Sequence, residues 1–142
     1  SLMASFNKFN SFVEALAEKV HNLGSDTLKV MLTNTAPVAT NAVKGDLTEI
    51  SAGNGYTAGG NTASVTSSAQ TSGTYKLVLG DPTTWTASSG PIGPFRYAVL
   101  FNDSATNKEL IGWWDYGSSI TLADGESFAV DFDPTTGVLT IA

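Results

Sequence analysis

Residues 95–116, FRYAVLFNDSATNKELIGWWDY, constrain the fold more than any other stretch. Phe95, Tyr97, Val99 and Phe101 alternate with Arg96, Ala98 and Leu100, and the upper half of the run is apolar on both faces. Alternation with period two is a strand pattern. NDSATNK is short and polar and reads as a turn. A second run, 110–116, follows it, so the simplest geometry is an antiparallel hairpin near the middle of a sheet. The hairpin holds two of the three tryptophans, and no other stretch can carry as much buried area.

Around it, residues 5–23 form the one convincing helix. Phe6, Phe9, Val13, Leu16, Val20 and Leu23 recur at threes and fours, and Phe12 widens the stripe. Gly24 is placed to stop it in a left-handed cap. Strands are expected at 27–33, 61–70, 74–79, 118–122, 127–132 and 138–141, the last two paired as a hairpin. Residues 38–61 lose periodicity, apart from one short turn at 46–50, and form a long loop. Its second half, SAGNGYTAGGN, holds four glycines, suited to tight turns or close backbone contact, with Tyr56 as an anchor. Trp85 is expected to pack over the end of the strand layers. Short strands at regular spacing point to a mainly β fold: an antiparallel β-sandwich or jelly roll with one N-terminal amphipathic helix. Residues 5–142 form a single domain on this reading, and residues 1–4 form an expression scar and a disordered start.

Composition narrows the function. Only 14% of the 142 residues are charged, so the surface is mostly hydroxyl and amide. The net charge is −6 and the seven basic residues are unclustered. That argues against nucleic acid and against anionic membranes as partners. The absence of cysteine excludes disulfides, thiol catalysis and cysteine-based zinc sites.

The candidate chemistry is thin. The glycine-rich loop matches neither GxxxxGK[ST] nor GxGxxG. His21, the only histidine, is expected to have a capping or surface role near the helix end, and no GxSxG elbow accompanies it. Asp131 and Asp133, with Asp115, Asp124 and Glu126 as possible neighbours, read as a solvated strand face; calcium binding and glycoside hydrolysis are the chemical alternatives. Trp113, Trp114 and Tyr116 suggest a sugar-stacking platform, but adjacent strand residues point to opposite faces. Trp113 should share a side with Ile111, and Trp114 with Gly112 and Tyr116. No catalytic residue, cofactor or metal site is expected. Phe6, Phe9, Phe12, Tyr56, Trp114 and Tyr116 are the candidate interface residues, because interfaces favour such rings.

Taken in order, GNGYTAGG (53–60), TWTA (84–87), FRYAVLFND (95–103), LIGWWDYGSS (110–119), DGESFAVDF (124–132) and GVLTI (137–141) resemble small virion proteins of tailed bacteriophages and prophages. The resemblance covers roughly residues 28–141. It implies a non-enzymatic structural role in the particle, assembled in the host bacterial cytoplasm. The first expectation is a head decoration or cement protein; the second is a tail, collar or fibre-associated piece; a carbohydrate-binding module is a third. The expected partners are the chain itself, as a dimer or small ring, and other virion proteins such as the major capsid protein.

Overall fold

The computed structural model describes residues 4–142. In chain order its elements are β1 (Asn7–Lys8), α1 (Phe12–Ala17), β2 (Leu28–Thr33), a 3-10 turn (Lys44–Asp46), β3 (Asn61–Thr62), β4 (Val65–Thr71) and β5 (Thr74–Leu79). They continue with β6 (Trp85–Thr86), β7 (Ile92–Asn102), β8 (Leu110–Leu122), β9 (Ser127–Phe128) and β10 (Leu139–Ile141). The fold is mainly β with antiparallel sheets and one helix. A five-stranded sheet runs β1-β8-β7-β2-β3, a three-stranded sheet β10-β5-β4, and β6 pairs with β9. The disordered start expected over 1–4 falls, for residues 1–3, outside the described residues; Ala4 packs against the main core.

The hairpin β7–β8 lies inside the large sheet, with β2 on one flank and β1 on the other. Both faces are covered. The main core joins Leu28, Val30, Leu100 and Trp114 of the large sheet to Leu77 and Leu79 of β5 and to Trp85 and Phe128 of the β6–β9 pair. On the opposite face Phe9, Met31, Val99, Phe101 and Leu110 form a smaller cluster, covered partly by Leu47 and Trp113.

The side assignments of the hairpin are corrected by two irregularities. Pairing steps from Leu100↔Gly112 to Phe101↔Leu110, so Ile111 is the extra residue of a β-bulge. The bulge reverses the alternation: Trp113 shares its face with Leu110, and Ile111 joins the core of Trp114. Near Arg96 the pairing jumps from Phe95↔Ile120 to Tyr97↔Asp115, and Phe95 joins the face of Ala98 and Leu100. Residues 118–122 are not a separate strand but the end of β8.

The expected helix over 5–23 is reduced to α1. Its first part is instead a strand: Asn7 pairs with Trp113 and Lys8 with Gly112, and Phe9 N–H donates to Ile111 O at 3.2 Å. Gly112 makes this possible, since the Phe6 ring lies where a side chain at 112 would stand. The helix ends at Ala17 and is closed at Lys19, not Gly24. Lys19 takes φ 70°, its N–H donates to Leu16 O, and Val20 N–H donates to Ala15 O. That is the paired bonding of a Schellman motif, closed here without glycine.

The closing strand also pairs differently from expectation. β10 lies against β5, with Leu139 opposite Leu77 and Ile141 opposite Tyr75. The expected strand 127–132 ends early at Phe128, because Phe132 N–H is taken by the Asp81 carboxylate at 2.7 Å while Val130 and Phe132 enter the core. The short turn expected at 46–50 lies at Lys44–Asp46.

Candidate functional site

The six candidate interface residues divide sharply by burial. Phe9, Phe12, Tyr56 and Trp114 lie within the chain's own cores, each at most 6% exposed, and so are not free to contact a partner. The physical reason is supply: a chain with hydroxyl-rich strands fills its interior with the few large rings it has. Phe6 is half-buried and meets Trp114 edge-on at 5.4 Å. Tyr116 alone is exposed, at 41%, with its ring edge-on to Phe128. Trp113 packs on Phe9 at 4.6 Å on the other face of the sheet. The rings of 113, 114 and 116 therefore make no common platform.

Tyr56 is an anchor, as expected of a ring set among glycines. It is 2% exposed, its hydroxyl donates to Glu49 Oε2 at 2.6 Å, and the hydroxyl oxygen of Tyr56 itself accepts Leu32 N–H at 3.0 Å. Glu49 also accepts Gly59 N–H and the Lys44 ammonium. Burial first, and then the Glu49 carboxylate, push the Tyr56 proton well above the ordinary phenol range. Nothing in the spacing of Glu49 and Tyr56 announces this lock, because it depends on β2, which meets Glu49 at Thr33 and Tyr56 at the Leu32 N–H. Tyr56→Phe removes both bonds and leaves the Leu32 N–H buried without an acceptor. The expected loss is about 2 kcal/mol of unfolding free energy, read by urea denaturation.

Four of the five carboxylates that the sequence groups together are separately employed, and Asp131 is exposed to solvent. Asp133 accepts Thr135 and Thr136 N–H, which holds its pKa below the usual range. Asp124 accepts Ser89 N–H, and Glu126 accepts Ala123 N–H. Asp115 is paired with Arg96 through two bonds, at 2.8 and 3.1 Å, and that pairing lowers its pKa. Among the described residues no group of three or more His, Cys, Asp or Glu is placed to hold a metal ion. His21 corrects its expected surface role: it is 5% exposed and faces Asn102.

The surface feature that remains is a trough of about 540 Å³ between α1, β1 and β10, lined by Phe6, Val13, Leu16, Leu139 and Ile141 among others. Val13 is 51% and Ile141 40% exposed, and they are two of the four large exposed apolar residues among the described residues. The trough lies between two sheet edges, since β1 ends the large sheet and β10 ends the small one. Val13 belongs to the apolar stripe seen in the sequence; it is exposed because α1 turns Phe12 and Leu16 inward. Ile141 carries no such signal, because β10 pairs with a distant strand. Among the described residues no helix is long and apolar enough to cross a membrane. No protein-family model matches the chain, and no curated protein or solved structure is significantly similar to it.

Proposed function

We propose that this chain is a non-enzymatic structural protein of a tailed-phage particle, a decoration or cement protein of the head, built as a β-sandwich. The observation that carries the assembly part of the reading is the apolar trough holding Val13 and Ile141 between two sheet edges, on a surface otherwise rich in hydroxyl and amide groups. Exposed apolar surface of this kind marks contact sites, and unpaired sheet edges add backbone donors and acceptors to it. The resemblance of the ordered motifs to virion proteins supports that class of partner. A core that draws on residues of all three sheets supports the layered architecture.

The test is to locate the protein by electron microscopy in purified particles of the phage or prophage that encodes it. Density on the head shell is the expected result. Density confined to the tail or portal end transfers the protein to the tail, and absence from every particle overturns the reading. A second measurement addresses the trough. Val13→Asp should leave the melting temperature nearly unchanged, because the residue is exposed, and should reduce incorporation into particles by about tenfold or more. Equal incorporation of variant and parent would remove the trough from the contact.

A further inference from the structure

The connection from α1 to β2 is fastened to the β7–β8 turn by a polar network centred on Asn102, which is fully buried. The Asn102 side-chain nitrogen donates to Asp26 Oδ2 at 2.7 Å and lies 2.9 Å from His21 Nδ1. Its oxygen accepts Ser104 N–H at 2.9 Å. Thr27 N–H donates to Ser104 Oγ, and Asp103 N–H donates to Thr27 O. The orientation of the amide is determined twice over. A carboxylate oxygen at Asp26 can only accept, and a backbone N–H at Ser104 can only donate. The amide nitrogen therefore faces His21, and Nδ1 must accept. The imidazole is neutral with its proton on Nε2, and Nε2 is buried without a partner.

A proton added at Nδ1 would set donor against donor. Turning the amide over does not relieve this, since its oxygen would then meet Asp26 and its nitrogen the Ser104 N–H. The surroundings of the ring work in both directions. Asp26 on the same connection and Glu109 ahead of β8 favour the charged ring, but burial disfavours it more strongly, so its pKa lies below the ordinary value. α1 presents Phe12, whose ring centroid is 5.4 Å away. Lys19, Tyr75 of β5, Ser68 of β4 and Ile141 of β10 line the neighbouring cavity of about 480 Å³. Lys29 and Lys108 are paired with Asp103 beside Asn102.

We propose that His21, Asn102 and Asp26 form an acid-sensitive latch, and that protonation of His21 releases the 19–27 connection from the β7–β8 turn. The latch is independent of the virion reading. A group that binds a proton more weakly when latched holds fully at pH values above its released pKa. It loosens as pH falls from the released value towards the latched one.

Because there is one histidine in the sequence, its ring nitrogens are unambiguous in a ¹⁵N–¹H correlation spectrum of the full chain. The expected results are an Nε2–H tautomer at neutral pH and a titration midpoint below the ordinary histidine value of about 6.5. Hydrogen-exchange protection at Thr27 and Ser104 should fall by up to about tenfold per pH unit between the released and latched values. An Nδ1–H tautomer, a midpoint at or above the ordinary value, or unchanged protection through the midpoint would overturn the latch. So would a ring still neutral when the whole chain unfolds in acid. In His21→Phe the pH dependence at Thr27 and Ser104 should vanish, and its persistence would also overturn the proposal. If that variant does not fold, the titration of the parent protein decides alone.

Discussion

Truncating Trp114 to alanine should lower the unfolding free energy by about 3–5 kcal/mol, the range for deleting a large aromatic ring from a core. Trp114 is 6% exposed. Its ring meets Phe6 at 5.4 Å on one side and Phe132 at 5.3 Å on the other. It thus joins the segment before β1 and the stretch after β9 to the middle of the large sheet. Domains of this kind have roughly 5–15 kcal/mol in total, so the loss is a large fraction. Tyr116→Ala is the comparison: its ring is 41% exposed and touches Phe128 by one edge, and about 1 kcal/mol or less is expected. Urea titrations of both variants decide the matter. A Trp114→Ala protein as stable as its parent would mean that the ring stands at the surface, as a stacking platform or assembly contact requires.

The hairpin was legible because alternation over 95–101 and the polar NDSATNK turn are local signals, and the observed strands extend that pattern. The sides on which its residues fall were not legible at Phe95 or beyond Leu110. A bulge at Ile111 changes the alternation without leaving a mark in residue types, since Leu, Ile and Trp suit either face. The N-terminal helix failed for a related reason. Phe6, Phe9, Phe12 and Leu16 keep a helical spacing, but the open edge of β8 and the bare Gly112 offer residues 7–8 a strand partner. Helix propensity is a weak prior against tertiary pairing. Lys19 stops the helix in a conformation normally given to glycine, so the punctuation at Gly24 misleads. At the candidate site, the aromatic surplus was visible but its destination was not. Burial depends on which rings the sheets enclose, and the trough that stays open depends on β10 pairing with β5 rather than with its neighbour in sequence.

The glycine-rich loop supplies the second large effect. Gly60→Ala should cost roughly 4 kcal/mol or more, a size reserved for a few mechanisms, of which a special backbone position against packed main chain is one. Gly60 is buried with φ +74°, a region that side chains enter at a penalty. A Cβ there would overlap Val30 O and Val30 C and crowd Met31 Cα, all backbone atoms of β2. Such atoms cannot rotate away as a side-chain tip can, and β2 is held on its other flank by six paired residues of β7. The loop must give instead. The segment that gives includes β3, which pairs Asn61 with Val30 and Thr62 with Lys29, and behind it the Tyr56–Glu49 lock. Gly73→Ala separates the two contributions. Gly73 has φ +84° in the β4–β5 turn and nothing within 4 Å of where its Cβ would be, so only the backbone penalty of about 1–2 kcal/mol is expected there. Denaturant unfolding of the two variants measures the difference. Hydrogen exchange should show protection lost at 57–62 in Gly60→Ala and kept in Gly73→Ala. Equal losses in the two variants would mean that β3 does not approach β2 as closely as the packing of Gly60 on Val30 requires.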